Sequence, residues 1–153
     1  MRIPSIFTRR TRTTSPTDQP ATIDLVREFH TTYHVPIQPY PTLDVPEKEL
    51  RYELLREELE ELRTALDAND LTETFDALLD IIWVAYGGIL AFGLPFNEGI
   101  NEVARSNRTK LGLDGLPIFR ESDGKVLKGP NFSPPDLVRI LNNAAQDHAG
   151  SSQ

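Results

Sequence analysis

The sequence contains no cysteine. This absence excludes a disulfide framework and any thiolate metal site, because both need cysteine sulfur. Histidine is also scarce, with 3 residues in the chain. His30 and His34 stand four residues apart, as a helical metal pair would, but they lack the acidic residue of an H-E-x-x-H site. A histidine-based metal site is therefore disfavoured.

Long apolar runs are absent from the sequence as well. No stretch approaches the roughly 20 apolar residues of a membrane span, and the N-terminal MRIPSIFTRR lacks the apolar core of a signal peptide. The length of 153 residues suits one domain with a core of its own. We therefore expect a cytoplasmic protein that does not bind a membrane.

Charge is distributed unevenly along the chain. The net charge is −7, yet residues 1–20 carry four arginines and a single acidic residue. The acidic remainder is a poor surface for nucleic acid, so a nucleic-acid-binding function is disfavoured. The basic arm could contact an acidic partner, but its threonine, proline and arginine content favours a disordered tail over residues 1–20.

The spacing of apolar residues predicts an all-α fold. Helices are predicted over 21–34, about 46–66, about 71–92, 95 to about 109, and 134 to about 143, with Thr22 as the first N-cap. Glycines and prolines interrupt residues 111–135, where Asp123-Gly124 indicates a hairpin turn. We therefore expect an antiparallel helical bundle over 21–145 with a short C-terminal hairpin or loop element, followed by a frayed tail over 146–153.

The glutamates of the second predicted helix fall on two faces. Because a helix turns about 100° per residue, Glu57, Glu58 and Glu61 share one face, which also carries apolar side chains. Glu60 falls with arginines on another side, which indicates a solvated surface. Three carboxylates on one face repel each other, so the arrangement makes sense if cations neutralise it or if the face is exposed after all.

The third predicted helix carries a carboxylate inside an apolar run. In L-L-D-I-I-W-V, Asp80 is surrounded by apolar residues, which predicts a buried position and a need for a partner. Asp76 and Glu73 stand about one and two turns earlier on the same face. The turn at 67–70 makes the two helices antiparallel neighbours, so Glu57, Glu58 and Glu61 can face Asp76 and Asp80 across the pair. Such an all-oxygen set suits Mg²⁺ or Mn²⁺.

Positive and amide side chains follow in the C-terminal part. Asn107 and Lys110 stand near the end of the fourth predicted helix, and Lys125 and Lys128 lie in the hairpin region. Lysine binds phosphate as a point charge, and acidic metal sites often serve phosphate substrates. The same lysines would suit an ordinary surface loop, so charge alone leaves phosphate binding open.

Two sets of motifs resemble a known superfamily. The E-E-x-x-E of Glu57, Glu58 and Glu61, followed by D-A-L-L-D-I-I-W-V, is similar to the all-α nucleoside triphosphate pyrophosphohydrolases, which include MazG-like proteins, dimeric dUTPases and phosphoribosyl-ATP pyrophosphohydrolase. The later E-V-A-R-S-N-R-T-K and D-G-K-V-L-K-G-P-N-F segments resemble the MazG-like, phosphoribosyl-ATP-pyrophosphohydrolase-like branch. The family's second motif is commonly E-x-x-D, and Ala77 stands where its glutamate is expected. Asp76 or, one register earlier, Glu73 would substitute for it.

The resemblance implies an enzyme that cleaves between the α- and β-phosphates of a nucleotide, giving a monophosphate and pyrophosphate. The residues implied as ligands of Mg²⁺ or Mn²⁺ are Glu58, Glu61, Asp76 and Asp80. Glu57 would orient or deprotonate the attacking water. The residues implied to hold phosphate oxygens are Asn107, Lys110, Lys125 and Lys128. The aromatic residues that would line the base pocket, unless they are plain core, are Phe29, Trp83 and Tyr86.

The resemblance also implies a homodimer or a dimer of dimers, because relatives bury such helices between subunits. The expected interface residues are Trp83, Tyr86, Gly87 and Gly88, and the lysine loop could then reach the partner's active site. A (d)NTP, with dUTP among the candidates, is the expected substrate, in nucleotide-pool housekeeping. Two alternatives stay open: phosphoribosyl-ATP as the substrate, and a non-catalytic helical interaction module.

Overall fold

The computed structural model describes residues 21–151, and these residues form five α-helices. They are α1 (Thr22–Thr32), α2 (Lys48–Asp67), α3 (Leu71–Ala91), α4 (Phe96–Arg108) and α5 (Leu137–Ser151). The all-α prediction is confirmed, and four of the five helices begin and end within a few residues of their predicted limits. The predicted tail over residues 1–20 lies outside the described residues.

Local chemistry explains how the long helices end. The carboxylate of Asp70 caps α3 by accepting hydrogen bonds from the backbone N–H groups of Thr72 and Glu73, at 3.0 and 3.1 Å. Asn69 takes a positive φ of 53° in the turn before it, which asparagine tolerates better than most residues. At the other end of α3, Gly93 has a φ of 63° and closes the helix as expected.

Two predicted helix ends are wrong. Thr22 is the first residue of α1, and Ala21 occupies the cap position with no side-chain hydrogen bond. Helix α5 continues to Ser151 instead of stopping near 143, so the segment predicted as frayed from 146 is helical as far as it is described. Two alanines after the expected end favour helix, and the rings of Tyr40 and His148, 4.7 Å apart, hold the last turns against the 33–47 loop.

The segment between α4 and α5 folds back on itself twice. Isolated antiparallel bridges join Leu111 to Pro117 and Phe119 to Val126. Gly124 supplies a φ of 72° in the turn of the second reversal, at the predicted Asp-Gly position. The hairpin prediction is therefore right in place, although no regular strand forms within residues 21–151.

The antiparallel pair α2 and α3 forms the centre of the fold. Ala65 and Ala77 are buried where the two helices meet, and their small side chains let the backbones approach closely. Helix α1 packs on α3, and α5 packs on α4. The pair is only partly covered, because a row of large apolar side chains on α3 stays exposed: Leu71, Phe75, Leu78, Leu79 and Ile82.

Helix α3 corrects the expectation that no stretch of the sequence is long and apolar enough to span a membrane. By length and composition alone it could cross a membrane, and most of it is not buried within the chain. The helix also carries Glu73, Asp76 and Asp80, and a carboxylate near the centre of a membrane span costs about 2.5–3.5 kcal/mol. A helix of a soluble protein that packs against other helices passes the same test, so these acids favour contact with protein over lipid.

Candidate active site

Glu58 lies at the centre of the predicted acidic cluster. Its side chain is partly buried, whereas the other predicted acids on α2 and α3 are exposed. Burial raises the pKa of Glu58, and so do the negative charges of four neighbouring carboxylates, which in decreasing order are Asp80, Glu61, Glu57 and Asp76. Within residues 21–151, every charge that acts on this pKa is therefore a carboxylate predicted from the sequence, and no lysine or arginine is among them.

The register of the helix pair explains why Glu58 faces Asp80. A Cβ atom added to Gly87 on α3 would lie 3.1 Å from Nη1 of Arg51, so Arg51 on α2 crosses α3 at Gly87. Glu58 follows Arg51 by seven residues, and Asp80 precedes Gly87 by seven. Seven residues are close to two helical turns, so both side chains return to the faces that meet at the crossing. Antiparallel pairing then places Glu58 opposite Asp80.

The carboxylates surround Glu58, but they do not point at one common position where an ion could bind. Among residues 21–151, no three acidic or histidine side chains stand close enough to hold an ion as they are. Mutual repulsion of like charges explains this spread. Asp80 is exposed, so the expectation that it is buried in the core is wrong. The reason is that α3, although apolar on most sides, is covered by its own chain on only part of its surface.

An acidic groove of about 420 Å³ runs along α2 beside the start of α3. Its acidic lining residues are Glu57, Glu60, Glu61, Asp70 and Glu73. Glu60 also pairs with Arg56 at 2.5 Å, as the face assignment predicts. Glu73 lines this groove but does not act on the pKa of Glu58, whereas Asp76 does. Asp76 is thus the better placed of the two candidates for the missing family glutamate.

A second groove, which we call the lysine groove, has a volume of about 600 Å³. It is lined by Lys110, Arg120, Lys125, Val126, Leu127 and Lys128. The structure thus brings together the three predicted lysines, while Asn107 is exposed on the last turn of α4 and does not line the groove. Arg120 pairs with Asp123, and the ammonium of Lys128 lies 4.5 Å from the ring centre of Phe132. The lysine groove and the acidic groove share no residue.

The three aromatic candidates for a base pocket take part in contacts between helices. Phe29 and Trp83 meet edge to face with ring centres 5.7 Å apart, which joins α1 to α3. Tyr86 and Phe96 meet in the same way at 4.9 Å, which joins α3 to the start of α4. Such pairs stabilise the packing of helices, so the three aromatics have a packing role, although Phe29 stays 39% exposed.

The expectation that Gly87 lies at a subunit interface is wrong. Gly87 is buried beneath Arg51 and His30, and a Cβ atom there would stand 3.1 Å from both side chains. Gly88, by contrast, has open space where a Cβ would be.

His30 donates from Nδ1 to the carbonyl of Pro36 at 3.3 Å, and α1 ends before His34. The two histidines therefore do not form a helical pair.

Sequence reasoning missed a second cluster of functional interest, on α4. The carboxylate of Glu102 is buried, binds Arg105 through two hydrogen bonds, and both residues contact the segment that follows the lysine groove. The i, i+3 spacing of opposite charges was a signal for the ion pair. Nothing local in the sequence indicated the partner segment, which lies about 30 residues further along the chain.

The match to a family model supports the assignment that the motifs imply. The family model described as "Phosphoribosyl-ATP pyrophosphohydrolase" matches residues 24–107. Among solved structures, the chain is similar to a protein from Exiguobacterium sp. 255-15, provisionally named an NTP pyrophosphohydrolase. The identity is 23%, the match covers 88% of this chain and 100% of the other, and the TM-score is 0.43. No curated protein matches the sequence.

The family match spans more than half of the chain and includes every acidic residue of the cluster around Glu58. It ends at residue 107, so it covers Asn107 and leaves out the lysine groove. The alternative of a non-catalytic helical interaction module is set aside by this match. The chain belongs to the phosphoribosyl-ATP pyrophosphohydrolase family and is an all-α nucleotide pyrophosphohydrolase.

Proposed function

We propose that this enzyme hydrolyses the α–β phosphoanhydride bond of a nucleoside triphosphate in the cytoplasm, with Mg²⁺ or, as a substitute, Mn²⁺. The observation that carries the proposal is the set of four carboxylates around Glu58, with no cation among residues 21–151 acting on its pKa. A fold that gathers uncompensated negative charge loses stability unless a cation is bound. We also propose that the enzyme serves nucleotide-pool housekeeping, with dUTP among the candidate substrates.

The donor set fits a hard divalent cation. Carboxylate oxygens on facing helices are the ligands that Mg²⁺ and Mn²⁺ prefer. The residues that would hold the ion are Glu58, Glu61, Asp76 and Asp80. Small changes of side-chain rotamer would be needed, because these carboxylates repel one another in its absence. When bound, the ion neutralises phosphate oxygens and the leaving pyrophosphate.

Glu57 is the proposed base. It is exposed and lines the acidic groove next to Glu61, so it can contact a water molecule beside the ligands. In the reaction the water oxygen bonds to one of the two phosphorus atoms of the anhydride, and that phosphorus loses its bridging oxygen. The water proton passes to Glu57, and the products are a nucleoside monophosphate and pyrophosphate.

The lysine groove is the proposed phosphate-binding element. Lys110, Lys125 and Lys128 would neutralise the terminal phosphates as point charges, with Asn107 donating from its amide. Since the groove shares no residue with the acidic groove, a second copy of the chain is the proposed source of lysines for each acidic cluster. We therefore propose a homodimer, or a dimer of dimers, as the active assembly.

Phosphoribosyl-ATP is a second candidate substrate, and the family match favours it. Both candidates contain the same anhydride bond, so the acidic cluster does not distinguish them. A screen of pyrophosphate release across all NTPs, all dNTPs including dUTP, and phosphoribosyl-ATP, each with Mg²⁺ and with Mn²⁺, decides between them. We expect release from at least one nucleotide and none in the presence of EDTA.

Asp80→Asn tests the ligand assignment within the same screen. We expect a loss of turnover on the order of 100-fold, because the amide removes a charge that would bind the ion, and a loss of the thermal stabilisation that Mn²⁺ gives the wild type. Asp67→Asn is the matched control, since Asp67 pairs with Arg63 at the surface end of α2. Full activity of Asp80→Asn with unchanged Mn²⁺ affinity would contradict the proposal.

A further inference from the structure

The segment that forms the lysine groove starts and ends at one place. The backbone N–H of Ser133 donates to Oγ1 of Thr109 at 2.8 Å, and Thr109 in turn donates to the carbonyl of Ser106 in the last turn of α4. Lys110 follows Thr109 directly, and Lys128 stands five residues before Ser133. The end of α4 therefore holds both ends of the loop that carries the lysines.

An ion pair on α4 reinforces this junction, and we call the group the clasp: Glu102, Arg105, Ser133 and the backbone of Pro134 and Asp136. Arg105 donates from Nε and Nη2 to the two carboxylate oxygens of Glu102, at 2.8 and 2.7 Å. Its remaining donors reach Oγ of Ser133 at 3.1 Å and the carbonyl of Pro134 at 2.9 Å. Glu102 also accepts from the backbone N–H of Asp136 at 2.9 Å.

The clasp fixes the position of residues 133–136 relative to α4. The Arg105 guanidinium places its donors on three different groups in a fixed planar arrangement. The Arg105 guanidinium and the Asp136 N–H lower the pKa of Glu102 to about 2, so the carboxylate stays charged at any pH near neutrality.

Inside the loop, further contacts bring the lysines onto one surface. The backbone N–H of Arg120 donates to the carbonyl of Lys125, and that of Leu127 donates to Ile118. Gly129 packs so closely on Leu111 that a Cβ atom would lie 1.9 Å from its carbonyl oxygen. Three lysines held in one groove repel each other, so they stay together only because the loop is closed at its ends.

We propose that Glu102 and Arg105 are positioning residues for phosphate binding: by holding the two ends of the loop together, they make Lys110 and Lys128 converge on one polyphosphate group. Neither residue touches the substrate. The inference rests on the proposed function, since it assumes that the lysine groove binds the phosphates of the nucleotide. It adds that the affinity of this groove depends on residues outside it.

The test is a double-mutant cycle of Glu102→Gln with Lys128→Ala, read as KM and kcat for the nucleotide found in the screen. We expect Glu102→Gln to raise KM about 10-fold, with kcat changed by less than about threefold and with Mn²⁺ binding in the absence of nucleotide unchanged. In the double variant the KM should exceed that of Lys128→Ala by a smaller factor than Glu102→Gln produces alone, because the clasp acts through Lys128 as well as Lys110. Glu121→Gln, the same loss of charge at an exposed position within the loop, should leave KM unchanged.

Ser133→Ala provides a variant that removes a single hydrogen bond of the clasp, in case Glu102→Gln folds poorly. It should raise KM in the same direction by a smaller factor. Binding of inorganic tripolyphosphate in EDTA, measured by calorimetry, should weaken in all clasp variants. This readout depends on the lysine groove and not on the metal site.

The possible outcomes separate the two proposals. If Lys128→Ala leaves KM unchanged, the lysine groove does not bind the substrate and the proposed phosphate-binding role fails. If Lys128→Ala raises KM but Glu102→Gln does not, or if the two effects multiply independently, the clasp does not act through the groove and the inference is overturned. A Glu102→Gln enzyme with lowered thermal stability and normal KM would overturn it as well.

Discussion

Single residues in this chain owe their chemistry to neighbours that only the folded structure provides. Face assignment along α2 correctly separates Glu60, which pairs with Arg56, from Glu58, whose pKa is raised by burial and by surrounding carboxylates. The position of Asp80 shows the limit of such reasoning. An apolar run around a carboxylate predicts burial, but the burial depends on what covers the helix, and no local pattern encodes that.

His30 provides a test at the same scale, because it is 2% exposed and packs beside Arg51. Burial lowers its pKa below 6.5, the carbonyl of Pro36 partly opposes this, and the charges of Arg51 and Arg27 lower it further. Just below pH 6.5, His30 is therefore protonated in the unfolded chain but stays neutral in the folded chain. Stability is therefore full above that pH and falls as the pH drops from 6.5 towards the lowered pKa.

We expect the loss to approach about 1.4 kcal/mol per pH unit within that window. The measurement is the free energy of unfolding in urea from pH 8 to pH 5, for the wild type and for His30→Gln, which keeps a side-chain donor for Pro36. Subtracting the two curves removes the contribution of other titrating groups. The advantage of the wild type should shrink below pH 6.5, and an advantage that stays constant or grows in acid would contradict the assignment.

Whole elements were the most predictable level of this structure. The limits of α2 and α3 follow from Asp70 as a cap and from Gly93 as a helix end, both of which are local signals. The length of α5 could not be predicted in the same way, because its last turns depend on the distant contact of His148 with Tyr40. The clasp escaped prediction for the same reason, since Glu102 and Asp136 meet only after the loop between them has closed.

Gly93, at the end of α3, occupies a position where the structure has no room for a Cβ atom. Its φ is 63°, and a Cβ atom would lie 2.2 Å from the carbonyl oxygen of Tyr40, a backbone atom that cannot move aside. We expect Gly93→Ala to destabilise the fold by roughly 2 kcal/mol or more. Gly99→Ala is the matched control, because a Cβ there meets nothing within 4 Å inside α4, and it should stabilise by about 0.5–1 kcal/mol.

Thermal unfolding of the two alanine variants measures the difference directly. The melting temperature should fall for Gly93→Ala and rise slightly for Gly99→Ala. Equal effects of the two substitutions would show that the 33–47 loop does not cross the end of α3 as described, where Gln38 and Thr42 donate to the carbonyls of Leu90 and Phe92.

At the scale of the whole molecule, residues 21–151 leave many large apolar side chains exposed, and these support the proposed assembly of two or more copies. Helix α2 also exposes large apolar side chains, which are Leu50, Tyr52, Leu59 and Leu66. Contiguous apolar patches of this kind mark surfaces that bind protein.

Phe75 tests this assembly, because it lies in the exposed row on α3 and is 62% exposed in the single chain. Burying the rest of its ring would contribute about 2–3 kcal/mol per copy, and a charge in its place would have to be desolvated. We expect Phe75→Glu to convert a dimer into monomers at micromolar concentration, as measured by light scattering, and to abolish turnover. Leu113→Glu, at a position 80% exposed in the loop after α4, should leave both mass and activity unchanged. A wild-type protein that is monomeric and active would contradict the assembly, because each acidic cluster would then have to work without the lysines of a partner.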